Sequence, residues 1–157
     1  MNANEMIFAL ALASNSNAQA NLAWALKALD KYGNLTISKV FKIPCRDGIG
    51  ADYLNCACLL HTAQISLEDL APLLKQLEET SGRIRPSHQI SLDIDLIAWK
   101  GSDVSDIDWN FNKKKMPFAL DVKIPLYELI QHPTLMFHDQ VAYQTIKLFP
   151  EKSSSMI

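Results

Sequence analysis

The hydrophobic pattern changes its period repeatedly over about the first hundred residues, and the order of these changes limits the folds available to the chain. Short apolar or β-rich runs predict strands at Met6–Ala13, Leu35–Ile43, Tyr53–Thr62 and His88–Trp99. Apolar residues at helical spacing predict a helix over Ala18–Tyr32, ended by Gly33, and a second helix from Ser66 to just before Gly82. The predicted order is therefore strand, helix, strand, strand, helix, strand.

This order is that of the ferredoxin-like βαββαβ unit, an antiparallel sheet with both helices on one face. We therefore predict an α+β fold whose core spans about residues 6–99. Residues from about 100 to 152 form a C-terminal extension in which Ile124–Gln131 looks helical, and 153–157 form a loose tail. Because 157 residues are typical of one domain, we expect a single domain over 1–157.

The formal net charge of −2 excludes a general basic field that would recruit nucleic acid or an anionic membrane. Any anion must therefore be bound by a local cluster of charge. The apolar run Met6–Ala13 is far shorter than the roughly 20 residues of a membrane span, and no Lys or Arg precedes it as in a signal peptide. The odd set Cys45, Cys56 and Cys58 lacks zinc spacing and favours free thiols in the cytoplasm.

Asp93 and Asp95 are the first candidate site residues. Two positions apart on a strand, they share a face with Cα atoms roughly 6.5–7 Å apart. Two carboxylates on one face repel unless a cation neutralises them, and hard oxygen ligands suit Mg²⁺. The alternative for an isolated D-x-D pattern is a plain solvated strand face.

Two further patterns precede these aspartates. In the segment Gly82-Arg83-Ile84-Arg85, two guanidinium groups can grip phosphate oxygens, although surface arginines are a common alternative. Tyr53 and Asn55 share a strand face, where an amide beside an aromatic ring could read the edge of a flat heterocycle. The alternative for this pair is an edge hydrogen bond and partial core packing. Ala13-Ser14-Asn15 suits an ordinary strand–helix turn.

Together these segments resemble a known family. The succession A-S-N, I-P…D-Y-L-N, L-L-K-Q-L-E…G-R-I-R and L-D-I-D-L-I is similar to the motif order of the 6-hydroxymethyl-dihydropterin pyrophosphokinases of folate biosynthesis. The likeness covers about residues 6–99, with a weaker echo at I-P-L-Y-E-L, residues 124–129. Each motif alone is common, but four of them in the right order on the right elements are specific.

The resemblance implies transfer of pyrophosphate from ATP to the hydroxymethyl group of a reduced pterin, giving AMP. It also implies two Mg²⁺ ions held by Asp93 and Asp95, which with Arg83 and Arg85 form the catalytic set. The nucleotide-side residues would be Lys75, Glu78, Arg83 and Arg85. The pterin pocket would contain Ile43, Pro44, Tyr53 and Asn55.

The chain departs from the family pattern at two segments, and it has Ala13 and Ile43 where the family usually has glycine and threonine. Between Arg85 and Leu92 the family usually carries a longer loop with Trp-Gly-Pro-Arg, whereas this chain has P-S-H-Q-I-S. His88 there is a partial substitute or a surface residue. A downstream segment with a histidine and an arginine is replaced by N-F-N-K-K-K-M-P, residues 110–117. This segment contains Lys113, Lys114 and Lys115. These lysines either replace the lost positive charge or form a solvated run of charge.

The sequence supports two hypotheses about function. The chain is either an active pyrophosphokinase or a weak or inactive relative that binds a pterin, a nucleotide or a protein partner. Retention of both aspartates and both arginines favours the enzyme, because two like charges on one sheet face otherwise have no evident purpose. A ferredoxin-like RNA-binding module is disfavoured, since the chain is acidic and shows no RNP-type aromatic pair. We expect a cytoplasmic monomer that binds ATP and a reduced pterin, and neither nucleic acid nor a membrane.

Overall fold

A computed structural model describes residues 5–44, 48, 50–85, 87–138 and 142–149 of the chain. The strands in these ranges are β1 (Met6–Ser14), β2 (Asn34–Ile37), β3 (Val40–Ile43), β4 (Tyr53–Thr62), β5 (Asp93–Gly101), β6 (Asn110–Phe111) and β7 (Thr145–Ile146). They form one antiparallel sheet in the order β6-β5-β1-β4-β3-β7, and β2 also pairs with β4. The long central strand β1 thus lies between β4 and β5.

The helices in the described ranges are α1 (Ala18–Asp30), α2 (Leu67–Thr80) and α3 (Leu120–Tyr127). The predicted start of α2 is confirmed, because the Ser66 hydroxyl accepts a hydrogen bond from the backbone N–H of Asp69 at 3.2 Å. Gly82 lies just beyond α2 with φ of +94°, a conformation that favours glycine. None of these three helices combines the length and the apolar character needed to cross a membrane.

The predicted α+β, ferredoxin-like fold is confirmed: α1 and α2 cover one face of the antiparallel sheet. The main core between them is built by alternate residues of the central strands and by the apolar stripes of both helices, including Phe8, Leu10, Leu22, Leu26, Leu70 and Leu74. Cys56 and Cys58 lie buried in this core, as their spacing predicts. Burial raises the pKa of the Cys56 thiol to about 12, so it packs as a small apolar side chain. Cys45 lies outside the described residues.

The C-terminal extension packs on the opposite face of the sheet. There a second core joins small residues of the central strands to α3 and the chain that follows it, with Ala9, Ala57, Phe118, Leu126, Ile130 and Leu135 buried. The helix predicted at Ile124–Gln131 begins earlier, at Leu120, where Asp121 favours a first helical turn, and it also ends earlier, at Tyr127. The extension therefore covers the half of this face that lies around Ala9 and Ala57. The predicted tail, 153–157, lies outside the described residues.

Two predicted strands have different limits in the structure. The run Leu35–Ile43 is divided into β2 and β3 at Ser38, whose backbone N–H donates to the Ala57 carbonyl while its hydroxyl accepts from the Ala57 N–H. The strand predicted from His88 starts only at Asp93. In the segment before Asp93, the Asn15 side chain bonds to the backbone of His88 and Ile90, and the Asn15 N–H donates to the Ile90 carbonyl. The alternating pattern there does not become a strand.

A β-bulge at Ile97 divides β5 into two parts. Ala9 pairs with Ala98 and Leu10 pairs with Leu96, so Ile97 is the extra residue. Ile94 packs in the main core before the bulge, and Ile97 packs in the second core. Asp93 and Asp95 lie before the bulge and alternate with Ile94, so they project to the face that carries the second core.

Candidate active site

Asp93 and Asp95 begin β5 on the face of the sheet that also carries α3. Their partners on β1 are Ala13 and Ala11 respectively, and paired residues of antiparallel strands project to the same face. Because both partners are alanines, the side chains of β1 take little of the space beside the carboxylates. The register therefore leaves room for a ligand next to the two aspartates.

The row of residues that contains Asp93 continues across the sheet to β4 and β3. Ala13 pairs with Asp93 on one side and with Asn55 on the other, and Asn55 pairs with Phe41. With strands about 4.8 Å apart, the Cα atoms of Asn55 and Asp93 are separated by about 10 Å. Asn55, predicted to bind a heterocycle, and Asp93, predicted to bind a metal, thus share one face with Ala13 between them.

The Asn55 side chain is buried with an unpaired acceptor. Asn55 is 4% exposed, and no donor in the described part of the chain reaches its Oδ1 atom. A buried polar atom is normally satisfied, and leaving one unpaired costs about 1–3 kcal/mol. Half-buried Tyr53 and its buried partner Ile43 lie on the same face as Asn55, and exposed Pro44 follows. This part of the sheet face can therefore offer an acceptor to a ring that carries N–H donors.

The two aspartates lie in a desolvated cluster of charge. Burial, and then the negative charge of Glu78, raises the pKa of the Asp93 carboxyl, which Arg83 and Lys115 partly lower. Burial, and then the charge of Asp93, raises the pKa of the Asp95 carboxyl. Because the raising causes prevail, both ionised carboxylates are disfavoured by their surroundings. A cation that bound there would relieve this cost.

Glu78 of α2 holds the free edge of β5. Its Oε2 atom accepts the backbone N–H of Ile94 at 2.8 Å, and its Oε1 atom accepts from Arg85 at 2.9 Å. β6 pairs with β5 only at Ala98 and Trp99, so no described strand bonds to Ile94 on this side. The buried Glu78 carboxylate therefore replaces a strand neighbour and fixes the start of β5 against α2.

We predict that Glu78→Ala lowers the free energy of unfolding by about 2 kcal/mol, because it leaves the buried Ile94 N–H without its acceptor. Urea denaturation of the purified protein measures this loss. The control is Glu79→Ala, the exposed neighbour, which should change the free energy by less than about 0.5 kcal/mol. Equal losses in the two variants would contradict the structural role given to Glu78.

The two arginines of the G-R-I-R segment have different positions. The Arg83 side chain is 11% exposed, donates to the Leu92 carbonyl at 2.8 Å and lies 3.7 Å from Asp93 Oδ1. The Arg85 side chain is 61% exposed and pairs with Glu78. Arg83 thus supports the loop before β5 and partly neutralises Asp93. Of the two arginines, Arg85 is the one whose guanidinium group is open to solutes while it pairs with Glu78.

The three consecutive lysines form a short 3-10 turn, Lys113–Lys115. Asn112 fixes this turn, since its Nδ2 donates to the Leu96 carbonyl at 2.8 Å and its Oδ1 accepts from the Lys114 N–H at 3.2 Å. Lys115 Nζ lies 3.0 Å from Asp95 Oδ1. Sequence reasoning missed Asn112, although an Asn just before a polar turn is a typical N-cap.

A cavity of 520 Å³ brings most of the predicted nucleotide-side residues together. Of the predicted site residues, those in its described lining are Lys75, Glu78, Arg85, Asp93, Asp95 and Lys115. Arg83, Lys113 and Lys114 are not in that lining. The cavity is therefore lined by both carboxylates of the D-x-D pair and by three cationic side chains.

Asn15 ties the loop before β5 to the end of β1. Its Oδ1 accepts from the Ile90 N–H at 2.6 Å, and its Nδ2 donates to the His88 carbonyl at 2.8 Å. Its own N–H donates to the Ile90 carbonyl at 2.9 Å. The sequence predicted only a turn at Asn15, because partners so distant along the chain leave no local pattern. Asn15 positions the segment that leads to Asp93.

Comparison with known families assigns the chain to one of them. A sequence model of the 7,8-dihydro-6-hydroxymethylpterin-pyrophosphokinase family matches residues 9–142. The chain belongs to this family. A search of the curated proteins gave no match. The matched range includes both aspartates, the G-R-I-R segment, the residues predicted for the pterin side and the lysine turn.

The donor set of this site fits a magnesium ion. Asp93 and Asp95 supply hard oxygen ligands on one face, and their side chains are 39% and 27% exposed, so an ion can reach them from the cavity. The described residues contain no group of three or more His, Cys, Asp or Glu side chains placed to hold a metal. Mg²⁺ typically takes one or two carboxylates and completes its shell with water and substrate phosphates, so this pair is enough.

In the described cavity lining, the chain has no direct replacement for the family's Trp-Gly-Pro-Arg loop. The His88 side chain is exposed and is not part of that lining. On the nucleotide side, Lys115 is the one lysine of the turn that the structure brings to the aspartates among the described residues. The positive charge at the cavity is therefore carried by Lys75, Arg85 and Lys115.

Proposed function

We propose that this chain transfers pyrophosphate from ATP to the hydroxymethyl group of a reduced pterin, 6-hydroxymethyl-7,8-dihydropterin, giving AMP. Family membership supports this reaction. The observation that carries it is the row Asn55, Ala13, Asp93, which sets a buried acceptor and a metal-binding carboxylate on one face about 10 Å apart. A flat bicyclic ring lying over Ala13 spans that distance, with its hydroxymethyl group toward the aspartates.

In the proposed complex, Asp93 and Asp95 hold Mg²⁺ together with the ATP phosphates, and two Mg²⁺ ions remain our prediction. Bound Mg²⁺ supplies charge neutralisation for the transferred phosphates. Lys75, Arg85 and Lys115 line the same cavity and would bind the remaining phosphate oxygens. The pterin oxygen attacks the β-phosphorus, the bond from that phosphorus to the α-phosphate oxygen breaks, and AMP leaves. The hydroxyl proton passes to solvent.

On the pterin side, Asn55 offers its buried Oδ1 to an N–H group on the edge of the ring. Tyr53, Ile43 and Pro44 would supply the flanking surface. Arg83 and Glu78 act mainly through the protein, because they bond to the backbone of Leu92 and Ile94. We therefore propose that Arg83 and Glu78 position β5, whereas Arg85 binds the phosphates directly.

The decisive test is formation of AMP from ATP by the purified chain with Mg²⁺, followed by liquid chromatography. We expect AMP only when 6-hydroxymethyl-7,8-dihydropterin or a close reduced analogue is present. The matched control is the oxidised pterin with the same ATP and Mg²⁺. Absence of AMP over a range of reduced pterins would refute the proposed reaction.

A weak or inactive relative that binds a ligand or a protein partner is the second candidate. The positions of Arg83 and His88 favour it, because neither is in the described lining of the nucleotide cavity. Titration calorimetry with α,β-methylene-ATP and Mg²⁺, and separately with the pterin, distinguishes the two functions. Binding of both ligands without turnover would select this candidate. The cytoplasmic location, the monomeric state, the lack of nucleic-acid binding and the division into core and extension stay predictions.

A further inference from the structure

Lys115 makes a contact that the proposed reaction does not require. Its ammonium lies 3.0 Å from Asp95 Oδ1, an oxygen of one of the two carboxylates that face the cavity. An N–O distance this short is a charge-assisted hydrogen bond. A divalent ion that bound Asp95 would lie close to this ammonium, and two cations on one carboxylate repel each other strongly.

We propose that Lys115 is an internal counter-cation of Asp95 which a divalent metal must displace before it binds this carboxylate. The proposal deepens the function given above and rests on it for the role of the metal in turnover. The displaced ammonium stays in the cavity that Lys75 and Arg85 also line, where the phosphates of ATP would lie. Metal and nucleotide then favour each other, because the nucleotide supplies a new partner for the released lysine.

The placement of Lys115 is specific to this lysine. Asn112 anchors the turn to β5 through the carbonyls of Leu96 and Ile97, at 2.8 Å each. This anchor brings the third lysine to the aspartate, while Lys113 and Lys114 are exposed and outside the described cavity lining. The Lys115 side chain remains 47% exposed, so it can leave Asp95 without disturbing a packed core. The three lysines therefore provide a matched set for a test.

The test is a titration of the full chain with Mn²⁺ alone, without nucleotide, followed by the electron paramagnetic resonance signal of the free ion. We expect Lys115→Ala to bind Mn²⁺ about tenfold more tightly than the wild type, since no cation has to be displaced. Lys115→Arg keeps the charge and should bind Mn²⁺ as weakly as the wild type. Lys114→Ala should change the affinity by no more than about twofold, because salt screens charges that are not in contact.

A second titration measures α,β-methylene-ATP with Mn²⁺ present. Lys115→Ala should bind this analogue about tenfold more weakly, opposite in sign to its effect on Mn²⁺ alone. Equal Mn²⁺ affinities of the wild type and Lys115→Ala would overturn the proposal, as would equal effects of the Lys114 and Lys115 variants. The AMP assay is independent of these titrations. If the wild type makes no AMP but Lys115→Ala shows both opposed shifts in affinity, the proposed reaction is refuted and the counter-cation role of Lys115 is kept.

Discussion

Asp95→Asn is expected to lower the rate of pyrophosphoryl transfer about 10³-fold, because a metal that stabilises phosphoryl charge contributes several kcal/mol. The substitution keeps the shape of the side chain but removes an anionic ligand from the cavity. Binding of Mg²⁺ with α,β-methylene-ATP should fall together with the rate. Steady-state AMP formation and titration calorimetry give the two quantities.

The same variant should unfold at a higher temperature than the wild type above pH 7. Burial and the charge of Asp93 raise the pKa of the Asp95 carboxyl, so the folded state binds protons more tightly than the unfolded state. The stability contributed by this group is present below its unfolded pKa, about 3.9, and is lost as pH rises through the raised folded pKa. Between pH 4 and pH 8, the unfolding temperature should therefore fall less with rising pH in Asp95→Asn than in the wild type.

The control for both effects is Asp108→Asn, a change at an exposed acid of the loop before β6. It should leave AMP formation and the pH dependence of unfolding as in the wild type. An Asp95→Asn variant that keeps full activity would remove the metal assignment. A variant less stable than the wild type at pH 8 would show that the contact with Lys115 outweighs the cost of burying the carboxylate.

The faces of the strands could be predicted from the sequence because alternation alone assigns a side chain to a face. It set Asp93 and Asp95 opposite Ile94, and it put Tyr53 and Asn55 on a common face. Their meeting across the sheet depends on the strand order, which follows from the βαββαβ succession.

The roles of single side chains could not be predicted in the same way. Glu78 and Asn112 bond to the backbone of β5, and Arg83 bonds to the residue just before it, Leu92. Each bond joins residues 9 to 16 positions apart, so no local pattern announces it. β6 pairs with β5 only at Ala98 and Trp99, so the outer edge of β5 has no described strand neighbour near Ile94 and a side chain satisfies that edge. A motif fixes the type of residue, whereas such long-range bonds decide whether it faces ligand or backbone.

Because the net charge of the chain is −2, an anion must be bound by a local cluster of cationic side chains, and one cavity contains such a cluster. Three carboxylates lie there with Lys75, Arg85 and Lys115, so the site is nearly balanced before any ligand arrives. Free ATP alone would add several negative charges, and a divalent metal alone would meet Lys115. Binding of metal and nucleotide together keeps the balance, which agrees with the coupling that we propose for Lys115.

The second large effect is expected for Ala13→Leu, which should weaken binding of the reduced pterin about 100-fold, equivalent to about 2.7 kcal/mol. Ala13 is half-buried and lies between Asn55 and Asp93 in the row that we propose the ring covers. A leucine side chain would take the volume of the ring. Titration of the pterin by its fluorescence measures the affinity, and binding of Mg²⁺ with α,β-methylene-ATP should change by less than about threefold because this ligand lies beyond the row.

Ala13→Gly separates the steric effect from loss of the alanine itself. It leaves the space over β1 open, so pterin affinity should stay within about threefold of the wild type. Thermal unfolding shows whether the leucine variant remains folded, since overpacking usually costs about 1–3 kcal/mol. A folded Ala13→Leu protein with normal pterin affinity would mean that the ring lies elsewhere, because no flat ligand can bridge Asn55 and Asp93 through a leucine. The unpaired Asn55 oxygen would then need another donor.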